Sequence, residues 1–143
     1  SLEYLDLAVA RTDRLREIDP SFVVTEGITA PDGTVIAYAG QRVNPLDSLP
    51  FTQVLIVFDA TDPAQRPMVE KALKRAGDRR ITLITTKYAR ATGYEGLGDL
   101  WSDFGRPVFI LDRDLRERFA IERVPSFIEA RGNRFLVHEM AIP

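Results

Sequence analysis

Apolar positions in the first 18 residues recur at intervals of three, four and seven, which is the spacing of one face of an amphipathic helix. The pattern predicts a helix over residues 2–18. Asp19-Pro20 would end it, because the residue before a proline is pushed out of the helical region. Such a helix can pack on its own domain or dock on a partner, and the pattern allows both. Its apolar stripe consists of Leu2, Tyr4, Leu5, Ala8, Val9, Leu15 and Ile18.

Short apolar segments within residues 22–43 flank a turn at Pro31-Asp32-Gly33. Proline presets φ, aspartate closes the turn and glycine accepts a positive φ. The segment therefore predicts short β-hairpin material, with Gly40 ending a strand. Residues 44–50 are too rich in proline for a helix or a strand, and they predict a connector into the main part of the chain.

An unbroken apolar run over residues 53–60 predicts a strand buried on both faces, as in the centre of a parallel sheet. A helix start follows, in which Asp62 caps free N–H groups, Pro63 suits the first helical position and Gln65 completes a pair that resembles a capping box. Gly77 would end this helix, and residues 81–86 predict a second strand. The predicted unit is therefore β-α-β. The buried face of its helix would contain Met68, Val69, Ala72, Leu73 and Ala76.

The rest of the chain predicts a further α/β unit and a closing hairpin. Glycine-rich residues 88–105 predict a loop and then a short helix around Leu97–Phe104. A third strand at residues 108–111 and a helix over Arg113–Phe119 follow. Residues 126–142 predict two strands around an Arg131-Gly132-Asn133 turn.

This order of elements predicts the α/β fold class, with a central mixed sheet of about four or five strands flanked by helices. Residues 1–50 are expected to form the N-terminal helix, a small β appendage and the proline-rich connector. Residues 51–143 are expected to form the main domain.

Composition narrows the function classes. The 143 residues hold 19 basic and 21 acidic side chains, a formal net charge of −2, which gives no electrostatic case for nucleic acid binding. No apolar run approaches the roughly 20 residues that span a bilayer, and no signal peptide is visible. The absence of cysteine excludes thiol–disulfide exchange and thiolate metal sites. A single histidine, His138, excludes a zinc cluster built on histidines. No cofactor or metal site is therefore predicted.

The chain resembles thioredoxin-like proteins in its β-α-β unit, its second α/β unit and its final hairpin. Residues Phe119 to Ile128 resemble that family's Tyr/Phe-Gly-Ile-x-x-Val/Ile-Pro-Thr stretch, in which the proline is cis and faces the active-site turn. The resemblance implies a cis Val124–Pro125 bond, although only about 5% of X–Pro bonds are cis. The family's Cys-x-Pro-Cys motif would fall on Thr61-Asp62-Pro63-Ala64 or on Asp59–Asp62, and neither position holds a thiol.

A narrower resemblance covers nearly the whole chain. The run around Arg42-Val43-Asn44-Pro45-Leu46, upstream of a cysteine-free thioredoxin-like domain, is similar to the TraW family of F-type conjugative transfer systems. The resemblance implies a non-catalytic periplasmic protein that is needed for pilus assembly in a type IV secretion apparatus. It also implies contacts with TrbC-like and TraU-like proteins. The family's signal peptide is missing here, which suggests a mature or truncated chain.

Several residues remain as candidate sites. Leu5 and Val9 of the predicted N-terminal helix, and Trp101 of the glycine-rich region, are candidates for partner binding. Asp59 and Asp62 are either structural or the paired carboxylates of a non-redox enzyme. A further alternative is a peptide-binding chaperone that uses the groove beside the cis-proline without cysteines. His138 is expected to be a rim histidine bonded to a neighbour, with a pH-sensitive role as the alternative.

Overall fold

The computed structural model describes residues 6–88 and 94–143, and for these residues it has mixed α/β architecture. The strands are β1 (Ala8–Val9), β2 (Arg14–Ile18), β3 (Phe22–Val23), β4 (Ile28–Thr29), β5 (Val35–Ala37), β6 (Arg42–Val43), β7 (Val54–Phe58), β8 (Ile81–Thr85), β9 (Val108–Ile110), β10 (Arg123–Val124), β11 (Ser126–Arg131) and β12 (Arg134–Glu139). The helices are α1 (Arg66–Ala76), α2 (Tyr94–Phe104) and α3 (Arg113–Arg118), and 3₁₀ turns lie at Pro45–Asp47 and Pro63–Gln65. None of the helices in residues 6–88 and 94–143 has the length and apolar character needed to cross a bilayer.

A six-stranded sheet with the order β2-β12-β11-β7-β8-β9 organises the described residues. Strands β7, β8 and β9 run parallel to one another, whereas the β7–β11, β11–β12 and β12–β2 pairs are antiparallel. Parallel neighbours need a crossover, and α1 supplies it between β7 and β8. The α/β class and the mixed sheet are confirmed, and the sheet contains one strand more than the upper end of the prediction.

Strand β7 lies in the middle of the molecule. All five of its residues are buried, and they alternate between two apolar clusters on opposite faces of the sheet. Leu55 and Val57 enter one cluster with Phe119 and Phe135. Val54, Ile56 and Phe58 enter the other. Full burial of such a side chain is worth about 1.5–3 kcal/mol, which explains why the apolar run predicted this strand correctly.

Helix α1 packs on the second of these clusters. Val69, Ala72 and Ala76 are buried there, and Met68 and Leu73 pack against the cluster with partial exposure. Asp62 caps the preceding 3₁₀ turn, because its Oδ1 accepts a hydrogen bond from Ala64 N at 3.0 Å. Gly77 ends the helix with φ of 62°, a conformation that favours glycine. The helix and its end at Gly77 were predicted correctly, but residues 63–65 at its predicted start form a 3₁₀ turn, and the α-helix begins at Arg66.

The prediction of a helix over residues 2–18 is wrong for the described residues. Ala8–Val9 and Arg14–Ile18 are strands, and β2 pairs antiparallel with β12 from Ile18↔Phe135 to Arg14↔Glu139. Residues 14–18 alternate between exposed and partly buried positions, with Arg16 and Ile18 on the less exposed side. Pairing with β2 satisfies the backbone N–H and C=O groups on the outer edge of β12. This stabilisation outweighs the preference for a helix that the spacing of apolar residues indicated. Residues 14–18 therefore belong to the same sheet as β7. This sheet contains residues from both sides of the predicted division between residues 1–50 and 51–143.

The β appendage consists of short hairpins outside the main sheet. β4 pairs with β5 and β3 pairs with β6, both antiparallel. Gly33 has φ of 87°, Gly33 N donates to Ala30 O at 2.9 Å, and Asp32 Oδ1 accepts from Thr34 N at 2.9 Å. This is the turn that Pro31-Asp32-Gly33 predicted.

The closing hairpin β11–β12 follows a cis Val124–Pro125 peptide bond. Gly132 has φ of 61° in its turn. A few residues earlier, Ala120 has φ of 48°, in the left-handed region that favours glycine. Alanine therefore holds a backbone conformation here that residues with a Cβ rarely adopt.

Candidate functional site

The loop after β7 contains Asp59 and Asp62, the predicted carboxylate pair. Asp59 Oδ1 accepts hydrogen bonds from Thr61 N at 2.9 Å and from Thr61 Oγ1 at 2.6 Å. The fully buried Gln65 accepts from Asp59 N at 2.8 Å and donates to Asp62 Oδ2 at 3.2 Å. Gln65 therefore does not form the predicted capping box, in which its side chain would accept a hydrogen bond from Asp62 N. It accepts the hydrogen bond from Asp59 N instead. These bonds give both carboxylates a structural task in holding the loop.

A cavity of about 270 Å³ lies beside this loop, below the ~300–1,000 Å³ of typical small-molecule pockets. Its far wall contains Arg66, which pairs with Asp103 at 2.6 Å and lies 4.0 Å from the centre of the Phe104 ring. Within residues 6–88 and 94–143, no group of three or more His, Cys, Asp or Glu side chains is arranged to hold a metal ion. The geometry therefore gives little support to chemistry at Asp59 and Asp62.

The region around Pro125 is covered by another part of the same chain. β1 pairs in parallel with β10, with Ala8 opposite Arg123 and Val9 opposite Val124. Ala10 N donates to Val124 O at 2.8 Å, and Ala10 is fully buried. Val9, predicted as a partner-binding residue on a helix, lies instead on this short strand with partial exposure. Leu5 lies outside the described residues.

Glu139 is the centre of a buried ionic cluster that the sequence did not indicate. Its side chain is 1% exposed and lies 3.4 Å from Arg16 Nε, 3.5 Å from Arg123 Nη1 and 3.7 Å from Arg14 Nη1. Neither carboxylate oxygen makes a hydrogen bond within the described residues. Glu122 joins the edge of the cluster, and the nearby arginines Arg16, Arg14 and Arg123 lower its pKa. The cluster ties β2, β10 and β12 together by charge.

His138 is partly buried, and, as predicted, it is bonded to a neighbour. Its Nε2 lies 2.9 Å from Glu129 Oε2, and its Nδ1 lies 3.3 Å from Arg75 Nη2. Burial and the positive charge of Arg75 lower the pKa of His138, although Glu129 acts in the opposite direction. The neutral imidazole can donate to Glu129 from Nε2 and accept from Arg75 at Nδ1.

The lowered pKa of His138 predicts that acid destabilises the protein. The unfolded chain, with the ordinary His pKa of 6.5, binds the proton more readily than the folded chain. The free energy of unfolding should therefore fall as the pH drops below about 6.5. His138→Gln, which can still bond Glu129 but cannot be protonated, should weaken this dependence. Urea unfolding measured between about pH 7.5 and 5.5 tests this prediction. The pKa of Glu129 is lowered from its ordinary value of 4.5, so Glu129 keeps its charge throughout this range. An unchanged pH slope in the variant would contradict it.

Exposed apolar side chains concentrate in the β appendage and in the connector that follows it. Ile36 is 63% exposed, Tyr38 68% and Leu49 73%. We call this set the appendage apolar surface, and it comprises Phe22, Val23, Ile28, Val35, Ile36, Tyr38 and Leu49. Large apolar side chains that the folded chain leaves exposed are candidates for contact with a partner. Trp101 on α2 is also exposed, at 57%.

Residues of the Arg42–Leu46 run anchor the appendage to the main sheet. Asn44 Nδ2 donates to Asn133 O in the β11–β12 turn at 2.8 Å, and Asn44 Oδ1 accepts from Leu46 N at 2.9 Å. Leu46 packs against the cluster of Phe119 and Phe135. Arg42 forms an exposed ion pair with Asp19 at 3.5 Å. The motif therefore fixes the position of the appendage, while the exposed apolar residues lie elsewhere on it.

Comparison with known proteins gives one informative similarity. The chain is 28% identical over 131 residues to Protein TraW of Escherichia coli (strain K12), which covers 90% of this chain and 59% of that protein. The chain thus spans about three-fifths of the length of this curated relative. No family model matches the chain, and no solved structure matches it.

Sequence reasoning missed the Glu139 cluster and the exposure of the appendage. The alternation of Arg14, Arg16 and Ile18 with Leu15 and Glu17 could have indicated a strand with charged residues on one face. Nothing local to Glu139 indicates its burial, because two of the three arginines around it come from more than 100 residues earlier in the chain.

Proposed function

We propose that this chain is a non-catalytic component of an F-type conjugative type IV secretion system and acts through protein–protein contacts. The observation that carries the proposal is the alignment with E. coli TraW over 90% of the chain. The Arg42–Leu46 run, which carries the resemblance to the TraW family, also supports the proposal. Its residue Asn44 fixes the position of the appendage through hydrogen bonds.

We propose that the protein is located in the periplasm and that it is needed for pilus assembly. The partners would be TrbC-like and TraU-like proteins of the same apparatus. The appendage apolar surface favours a binding role, because it leaves large apolar side chains exposed that a partner could cover. Glu26, Asp32 and Asp47 against the single Arg42 make residues 22–49 acidic, which favours a partner with a basic rim.

We also propose that the main sheet is a thioredoxin-like scaffold that has lost its redox chemistry. The four strands β8-β7-β11-β12 combine a parallel pair joined by α1 with an antiparallel hairpin that follows a cis-proline. That arrangement supports the scaffold assignment. The chain contains no cysteine, so the scaffold would present surfaces for binding.

The test is plasmid transfer. Deleting the gene from its own transfer region should abolish mating and pilus formation, and the full chain supplied in the periplasm should restore both. A tagged full chain should also co-purify the TrbC-like or TraU-like protein. Normal mating and piliation in the deletion strain would overturn the proposal. Supplying the deletion strain with a chain that carries Asp59→Asn and Asp62→Asn separates binding from catalysis. If the two carboxylates were catalytic, this variant would fail to restore transfer.

A further inference from the structure

A groove of about 480 Å³ lies between helix α1 and the strands β2 and β12. Met68 and Lys71 of α1 line one wall, and Leu15 and His138 line the floor. In the register of the sheet, His138 lies opposite Phe127, and Leu15 lies opposite His138. Side chains opposite one another in neighbouring strands share a face of the sheet, so the floor belongs to the face on which α1 packs.

This face of the sheet is wider than the helix that covers it. The apolar cluster beneath α1 includes residues of β7, β8, β9 and β11, but within the described chain β12 and β2 contribute none of its members. Leu15 is 56% exposed there. Neighbouring strands lie about 4.8 Å apart, so two strands present a width of about 10 Å, which matches the diameter of about 10–12 Å of one α-helix. The sheet therefore has room for one more helix beside α1.

The helix wall of the groove is positively charged. Residues 66–80 contain six basic and two acidic side chains. Arg75 is held in place by Glu129 at 3.5 Å and by the Phe127 ring, whose centre lies 4.6 Å away. Lys71 is exposed, and its ammonium group forms no ion pair or hydrogen bond within the part of the chain that the structure describes. A carboxylate on an occupant of the groove would supply the partner that Lys71 lacks.

The shape of the groove favours a segment of a protein over a small molecule. Small-molecule sites bury about 70–90% of the surface of their ligand. This groove is open to water along its outer side, where Leu15 is 56% exposed and the side chain of Arg75 is 44% exposed. Along β2 the groove extends over residues 13–15, a length of about 10 Å, and two turns of an α-helix rise about 11 Å.

We propose that the groove between α1 and β2 is a docking site for an acidic amphipathic helix of a partner protein. Two apolar side chains one turn apart on that helix would pack between Met68 and Leu15, and a carboxylate on its flank would pair with Lys71. In this mode of recognition the apolar anchors provide affinity, and the charges fix the orientation of the helix. The groove shares no residue with the appendage apolar surface, so its occupant and a partner on the appendage bind separately. Docking at this groove does not depend on the proposed role in conjugation.

The test uses the full chain and a fluorescent peptide of about 18 residues, a length at which an isolated helix can form in water. The peptide carries leucine at two positions four residues apart and glutamates on one flank of this stripe. A matched peptide carries lysine in place of each glutamate. The wild-type chain should bind the acidic peptide and not the basic peptide. Fluorescence anisotropy measures binding at a salt concentration of about 0.15 M, where charges more than about 8 Å apart are largely screened.

Three variants of the chain locate the site. Lys71→Glu should weaken binding of the acidic peptide about fivefold, because it removes one exposed ion pair and adds a like-charge contact of similar size. The same variant should improve binding of the basic peptide. Lys74→Glu is the matched control, since it makes the same charge change at an exposed residue of α1 that does not line the groove, and its effect should stay below about twofold. Leu15→Glu should abolish binding, because it places a carboxylate on the apolar floor.

Failure of the wild-type chain to bind the acidic peptide at millimolar concentration, or equal binding of the two peptides, overturns the proposal. Equal losses in the Lys71 and Lys74 variants would show only a general attraction to a basic helix and would also overturn it. Self-association of the wild-type chain that Lys71→Glu disrupts, measured by sedimentation, would assign the groove to a second copy and contradict a partner helix. Lys71 and Leu15 are exposed, so the variants should fold, and circular dichroism checks this. If one does not fold, the comparison of the two peptides on the wild-type chain decides. The mating test is independent of all these outcomes.

Discussion

Replacement of Glu139 by alanine is expected to cost about 3 kcal/mol of folding free energy, the lower end of the range for breaking a buried ion pair. It removes the buried counter-charge of Arg16, which is only 12% exposed, whereas Arg14 and Arg123 are more than 40% exposed and can turn toward water. The carboxylate is 1% exposed and lies within 3.4–3.7 Å of Arg14, Arg16 and Arg123. Arg16, at 12% exposure, is the least able to turn toward water once the carboxylate is gone. Its remaining contacts are Ala120 O and the half-exposed Glu122.

Urea unfolding at constant pH measures the effect of this substitution. Glu122→Ala is the matched control, since it removes a carboxylate from the same arginines at a side chain that is 50% exposed. Its cost should be much smaller, because water can replace the lost partner. Equal effects of the two substitutions would show that burial of Glu139 is not what makes its charge important.

Lysine at both Ile36 and Tyr38 is expected to abolish co-purification of the transfer-system partner while leaving the free energy of unfolding within about 0.5 kcal/mol of wild type. The two side chains are 63% and 68% exposed, so the folded chain gains little from them. The hydrogen bonds described at Tyr38 are made by its backbone, with Gln41. A partner that covers this surface would have to bury two ammonium groups, and that desolvation is costly.

Two further variants locate the interface. Leu15→Lys changes an apolar residue of similar exposure, 56%, on the outer edge of the main sheet, and it should leave partner binding unchanged. Trp101→Lys tests the candidate that the sequence suggested on α2. Loss of binding in the Trp101 variant with normal binding in the Ile36/Tyr38 variant would move the interface from the appendage to α2.

Local chemistry determined the centre of the fold. Val54–Phe58 is apolar at every position, so either face of the strand finds a core, and no alternative element buries it as well. Asp62 and Pro63 determine the start of the 3₁₀ turn that leads into α1, and Gly77 determines the end of α1. The turns at Gly33 and Gly132 follow from the same local rules. The sequence also determined, through the absence of cysteine, that no thiol chemistry can occur.

Tertiary structure decided the fate of the first 18 residues, the burial of Glu139 and the exposure of the appendage. The spacing of Leu15 and Ile18 fits a helix, but an isolated terminal helix is only marginally stable. Pairing with β12, more than 100 residues away, also covers the outer edge of β12, which a helix would leave open. Glu139 alternates in sequence like any exposed strand residue, and only the arrival of β2 and β10 beside it brings three arginines close and excludes water. Burial and charge pairing depend on what lies opposite a residue, and local sequence does not contain that information.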